Sequence, residues 1–201
     1  KNGKKVIIGA TTFESGEYYN SFVLLEKNQI LFFDKKILVP FGEFLPLRNH
    51  LRFMEFISGD NDFKKGKGKR ILITEDDIRI FPIICYEIIF DKIFKNVDKH
   101  KVDLMVNITN DSWFGNKVGP YQHFYITRMK SLIANKPLVR VSNNGISSII
   151  DSNGKIFKFT KLNQKSKLTH KLIIRNKMNY YYLHKFSFYY LLFIYFLFLI
   201  L

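Results

Sequence analysis

The chain contains one cysteine, one tryptophan and five prolines in 201 residues. Its lone thiol, Cys85, has no partner for an intramolecular disulfide, so a disulfide-stapled fold is excluded and the redox compartment is left open. The five histidines (His50, His100, His123, His170 and His184) lack metal-ligand spacing and have no cysteine pair beside them, so no metal centre is expected. There is no G-x-S-x-G elbow, Walker loop or G-x-G-x-x-G fingerprint, and no nucleotide cofactor is expected. Acidic residues are scarce, 17 against 32 Lys and Arg, which gives a formal charge of +15. That charge means less than its size suggests. Ile, Lys, Phe, Asn and Tyr account for 98 residues, a composition bias that fills neutral surface positions with Lys and Asn. The densest basic run, Lys64–Arg70, has no interleaved aromatics for base stacking, so a nucleic-acid partner is not expected.

Hydrophobic residues make up 47% and charged residues 24%, enough for a sizeable core. The two ends differ in kind. Lys1–Lys5 is polar and lacks a signal-peptide pattern, and a first residue of Lys leads to the expectation that the chain starts partway through a larger protein. Phe186–Leu201 is sixteen residues without a charge. As a helix it spans roughly 24 Å, and extension back through Tyr180–Leu183 approaches the ~30 Å of a hydrocarbon core. A transmembrane anchor is therefore expected over 180–201, after a polar connector at 164–179 and a domain at 1–163.

Within that domain, Val6–Thr12 reads as a buried strand. Ser21–Leu25 and Ile30–Phe33 flank the reversal Glu26–Gln29 and read as a hairpin. Arg48–Arg70 lacks a clean period and reads as a long loop. Ile78–Cys85 and Asp103–Thr109 are nearly continuous apolar runs, as in strands covered on both faces. Gly119-Pro120 opens a helix to about Asn135, with Phe124, Met129, Leu132 and Ile133 on one face. Leu138–Ser142, Ile146–Ile150 and Ile156–Phe159 are further strands, the last two joined by a turn at Asp151–Gly154. Strands alternating with a helix define an α/β class.

Cys85 falls where a buried strand stops, just before Tyr86-Glu87. A thiol in an apolar run is most often core filler, but a strand end can present it to a pocket. Acyl chemistry at such a thiol needs a base and a cationic or N–H donor for the oxyanion. Candidates lie in Asp34-Lys35-Lys36 and Gly42-Glu43-Phe44.

These residues resemble a known family. Phe33–Phe44, with Lys35 and the wording L-V-P-F-G-E-F, resembles the lysine segment of the nitrilase superfamily in its apolipoprotein N-acyltransferase branch. Ile84-Cys85-Tyr86-Glu87 resembles the nucleophile segment of that branch. Asn110–Gly115, Gly119–His123 and Ser142–Ile146 resemble its later motifs, in the same order. The resemblance covers roughly residues 6–157 and implies an α-β-β-α sandwich, N-terminally incomplete here, on the periplasmic side of a bacterial inner membrane. It implies transfer of an acyl chain from a phospholipid to the N-terminal diacylglyceryl-cysteine of a lipoprotein through a cysteine thioester, without a cofactor or metal. Carried onto this chain, it makes Cys85 the nucleophile and Lys35 the oxyanion donor. Glu43, Glu87 and Tyr86 would support them, and Trp113, Phe114 and Asn110 would meet the substrate. Phe53, Met54, Phe56 and Ile57 would touch lipid from a lid, and Lys64–Arg70 would meet anionic headgroups. Nothing calls for an oligomer, and a monomer is expected.

One element departs from the pattern. The resemblance places a general-base Glu well before the lysine, and Glu14 and Glu17 stand in the wrong motif for it. Residues 1–201 alone are therefore expected to be inactive. Two alternatives remain: a nitrilase-type amidase with water as acceptor, and an inactive membrane-tethered fragment. The cations Lys171, Arg175, Lys177 and Lys185 precede the apolar tail and by the positive-inside rule favour a cytoplasmic domain, against the periplasmic side that the resemblance implies.

Overall fold

The computed structural model describes residues 3–48, 50, 61–97, 100–172, 174, 184 and 186–200. Among the described residues, nine strands form two sheets. Strands β1 (Val6–Glu14), β2 (Glu17–Leu25) and β3 (Ile30–Asp34) make an antiparallel meander in that order. The second sheet runs β4 (Leu72–Ile73), β5 (Arg79–Ile84), β6 (Leu104–Thr109), β7 (Leu138–Ser142), β8 (Ser148–Ile150) and β9 (Ile156–Phe159). Its central strands β5, β6 and β7 are parallel, and the outer ones antiparallel.

The period of two along each strand explains the layers. Ile80 and Ile84 of β5 and Val106 of β6 pack with Phe22, Leu24 and Phe33 of the meander, so the two sheets share one core. Phe81 and Ile83, with Met105 and Leu138, point the other way, into a second core with Phe124 and Ala134 of helix α1 (Val118–Ala134). The described layers are thus helix, sheet, sheet. The continuous apolar runs at β5 and β6 serve both faces, as their composition predicts. Asn135, left-handed at φ 52°, ends α1, with the Lys136 N–H donating to the Ser131 carbonyl at 3.1 Å.

Three expectations are corrected. β1 is an edge strand with a half-exposed face, not a buried one, because among the described residues it pairs only with β2. The inward stripe of α1 is His123, Phe124, Thr127, Ser131 and Ala134, while Met129 is exposed. That stripe is partly polar because it faces polar groups rising from β6 and β7. Arg70 belongs to the interior, not to a basic surface loop. The apolar tail forms helix α2 (Ser187–Ile200), fourteen residues or about 21 Å, and no described helix is long and apolar enough to cross a membrane. Tyr180–Leu183, Arg175, Lys177 and Lys185 lie outside the described residues, as do the lid residues Phe53, Met54, Phe56 and Ile57.

Candidate active site

The carboxyl ends of the parallel strands converge on a cavity of about 940 Å³, whose far wall is the Ile7–Thr11 face of β1. Open α/β sheets place ligands at this edge. Strand β5 ends at Ile84, and Cys85 turns sharply into a 3-10 turn (Cys85–Ile89) with φ at 50°. A non-glycine residue in the left-handed region costs of order 1–3 kcal/mol and persists only where its surroundings hold it. Here the Ile84 N–H donates to Glu87 Oε2 at 3.0 Å, and the Asn107 amide donates to the Cys85 carbonyl at 3.4 Å. The turn aims the half-buried thiol into the cavity, where Sγ lies 3.9 Å from the Asn110 carbonyl.

Lys35 reaches the same cavity from the residue after β3. It is only 1% exposed, and its Nζ donates to Glu43 Oε2 at 2.6 Å. Glu43 is itself fixed by the Val39 N–H at 2.8 Å and by the Asn20 amide at 2.7 Å. The lysine backbone is held as well, its N–H donating to the Asn20 carbonyl and its carbonyl accepting from the Gly66 N–H, both at 2.8 Å. Glu43 is the one carboxylate on the cavity wall among the described residues.

Glu87 does not line the cavity. It is fully buried beneath it and joins its parts. Oε1 accepts from the N–H groups of Lys36 (2.9 Å) and Ile37 (3.1 Å) and from Arg70 Nη2 (2.7 Å). Oε2 accepts from Ile84 N–H and from Arg70 Nη1 (2.7 Å). Burial opposes the charge of Glu87, but the Arg70 guanidinium and the backbone donors outweigh it and hold the carboxyl below its ordinary value.

The mouth is aromatic. Asn110 caps the 3-10 turn Asp111–Phe114, its Oδ1 accepting from Ser112 N–H at 3.1 Å and from the Asn143 amide at 2.8 Å. Trp113, 69% exposed, and Phe114 line the cavity. The Phe114 ring lies 4.9 Å from His123 and 6.1 Å from Tyr86, which meets Phe90 edge-on. Of the residues singled out from the sequence, Cys85, Lys35, Glu43, Tyr86, Asn110, Trp113 and Phe114 all share this one cavity, with Glu87 behind them.

Sequence reading missed a buried polar hub behind the elbow. Arg140, 1% exposed, donates to Asp111 Oδ2 (2.6 Å), Asn107 Oδ1 (2.5 Å), Thr127 Oγ1 (3.1 Å) and the Ile146 carbonyl (3.1 Å). Asp111 Oδ1 also meets His123 Nδ1 at 3.0 Å. Burial works against the Asp111 charge, yet the His123 hydrogen bond and the Arg140 charge lower its carboxyl from 3.8 to about 2. Burial and then Arg140 push the His123 imidazole below 6.5, against the pull of Asp111. The available signal was an arginine inside the apolar run Leu138–Val141, a position that a charge occupies only when paired.

The carbon-nitrogen hydrolase family matches residues 1–174, and the chain belongs to that family. It is similar to apolipoprotein N-acyltransferases: 43% identical over 150 residues to that of Rickettsia prowazekii (strain Madrid E), and 42% over 160 residues to that of Wigglesworthia glossinidia brevipalpis. These alignments cover 74% and 75% of this chain, and the chain spans only 30% and 32% of those relatives. Among solved structures, a glutamine-dependent NAD+ synthetase from Acinetobacter baumannii superposes with a TM-score of 0.62 at 18% identity, covering 81% of this chain and 30% of that one. A carbon-nitrogen hydrolase from Helicobacter pylori G27 gives 0.59 at 15%, covering 80% and 60%. These two likenesses establish the nitrilase-like α/β fold.

Proposed function

We propose that this chain carries the catalytic cysteine and lysine of an apolipoprotein N-acyltransferase. One observation carries the reading: a chain 43% identical to such an enzyme brings Cys85, Lys35 and Glu43 to one cavity at the strand ends. In the first half-reaction the Cys85 thiolate attacks the ester carbonyl of a phospholipid. A C–S bond forms, the C–O bond breaks, and the lysophospholipid leaves as an alcohol, taking up the proton that the base had removed from the thiol. In the second, the α-amine of a diacylglyceryl-cysteine attacks the thioester. A C–N bond forms, the C–S bond breaks, and the surplus amine proton passes to the base.

Lys35 is the donor for the oxyanion of both tetrahedral intermediates, a role typically worth ~10²–10³ in rate. Glu43 holds its ammonium in place, and Glu87 ties the lysine segment to the nucleophile elbow. Tyr86, Phe114, Trp113 and Asn110 form the entry for acyl chains. Glu43 is committed to Lys35, so the base is a carboxylate other than those described on the cavity wall. The catalytic domain occupies 1–163 and a connector 164–179. In the segment 180–201, α2, apolar on every side, seats in the membrane, with the domain on the periplasmic side of a bacterial inner membrane. The protein acts as a monomer, without a cofactor.

The test is the intact mass of the native protein from its membranes, before and after neutral hydroxylamine. A fatty-acyl increment that hydroxylamine removes, absent in Cys85→Ser and strongly reduced in Lys35→Met, is the expected result. Loss of a small amide substrate to water with no acyl increment would instead identify an amidase.

A further inference from the structure

Ile83, Asn107 and Arg140 stand in one row across the parallel strands: Ile83 pairs with Asn107 in the β5–β6 ladder, and Asn107 with Arg140 in the β6–β7 ladder. Asn107 is fully buried, and its amide has both ends committed. Oδ1 accepts from Arg140 Nη1 at 2.5 Å, and this contact sets which end of the amide faces the guanidinium. Nδ2 must then point the other way, where it donates to the carbonyls of Ile83 (3.2 Å) and Cys85 (3.4 Å). Those two carbonyls flank the strained turn at Cys85, whose φ is 50°. Glu87 holds the Ile84 N–H between them at 3.0 Å. Three backbone groups of the elbow are therefore held by buried side chains, two of them by Asn107, and His123 adds a hydrogen bond to the Cys85 backbone.

We propose that Asn107, oriented by Arg140, is a positioning residue that sets the direction of the Cys85 thiol. It touches neither substrate nor sulfur and acts through the Cys85 carbonyl. The inference rests on the reading of Cys85 as the nucleophile, so its test is chosen to stand apart from acyl transfer: the rate of Cys85 alkylation by iodoacetamide in the full-length protein, measured beside the melting temperature.

Asn107→Asp keeps the acceptor for Arg140 and the side-chain size but loses both donations to the elbow. It should slow alkylation roughly tenfold, since a thiol turned out of the cavity is less accessible to the reagent. Thr127→Val is the control. It removes another Arg140 partner and lowers the melting temperature without reaching the elbow, and it should alkylate at the parent rate. Asn107→Ser, which cannot span to Cys85, serves if the aspartate variant does not fold. A slowed Asn107 variant beside an unchanged Thr127→Val supports the assignment. Parent-rate alkylation in the Asn107 variants, or equal slowing in Thr127→Val, overturns it. A missing thioester in the native enzyme would count against acyl transfer and leave this measurement standing.

Discussion

The Arg70 guanidinium meets the Glu87 carboxylate as a two-pronged pair, Nη1 to Oε2 and Nη2 to Oε1, each at 2.7 Å and both residues buried. The flat face of Arg70 also lies 4.6 Å from the Phe33 ring centroid, so the cation is shared with an aromatic of β3. The pair sits below the cavity and joins the lysine segment to the cysteine elbow.

Arg70→Ala should therefore destabilise far more than loss of a surface charge. It strands a buried carboxylate, which typically costs about 3–5 kcal/mol. Denaturant unfolding should show this as a large drop in midpoint. Glu17→Ala, which loses a surface pair with Lys64, should shift it by under about 1 kcal/mol.

Stability should fall on acidification in two stages. His123 is depressed below 6.5, so the unfolded chain takes up protons first and stability declines as pH drops through 6.5. Asp111, depressed from 3.8 to about 2, contributes fully above 3.8, and that contribution is lost as pH falls toward 2. The difference amounts to about 2 kcal/mol. Melting temperature against pH should lose its upper slope in His123→Gln; an unchanged slope would show that the imidazole is not depressed.

Gly66→Ala should damage the lysine segment. A β-carbon there would lie 2.1 Å from the Asp34 carbonyl oxygen, which is backbone and cannot swing aside. The strand end before Lys35 must move, and overpacking of this kind costs about 1–3 kcal/mol. In an acyl-transfer assay kcat should fall with little change in KM. Gly68→Ala, next but one along, meets nothing within 4 Å and tests φ strain alone.

Much of the architecture could be read from residues. Nearly continuous apolar runs located β5 and β6, the short run Leu138–Ser142 located β7, and short polar reversals located the hairpins at Glu26–Gln29 and Asp151–Gly154. The cavity wall was legible because Lys35, Glu43, Cys85 and Trp113 sit in ordered motifs. The hub of Asn107, Asp111, His123 and Arg140 was not, because its logic is cross-strand register. Polar residues 107 and 140 look like interruptions until the ladder puts them side by side. The α1 face was misjudged for the same reason, since Thr127 is inward to bond Arg140, not to be apolar. Arg70 was lost in a lysine-rich stretch where nothing local separates a buried cation from solvated ones. The apolar tail was legible from its uncharged run, and helix α2 takes up fourteen of those sixteen residues.

The five donors on Glu87 come from Lys36, Ile37, Arg70 and Ile84, up to 51 residues away along the chain. Segments so far apart meet only after large loops have closed, late in a cooperative transition. A nascent or partly unfolded chain thus holds the thiol of Cys85 and the amine of Lys35 without their common anchor. The arrangement makes the placement of these two side chains a property of the finished fold rather than of any single segment.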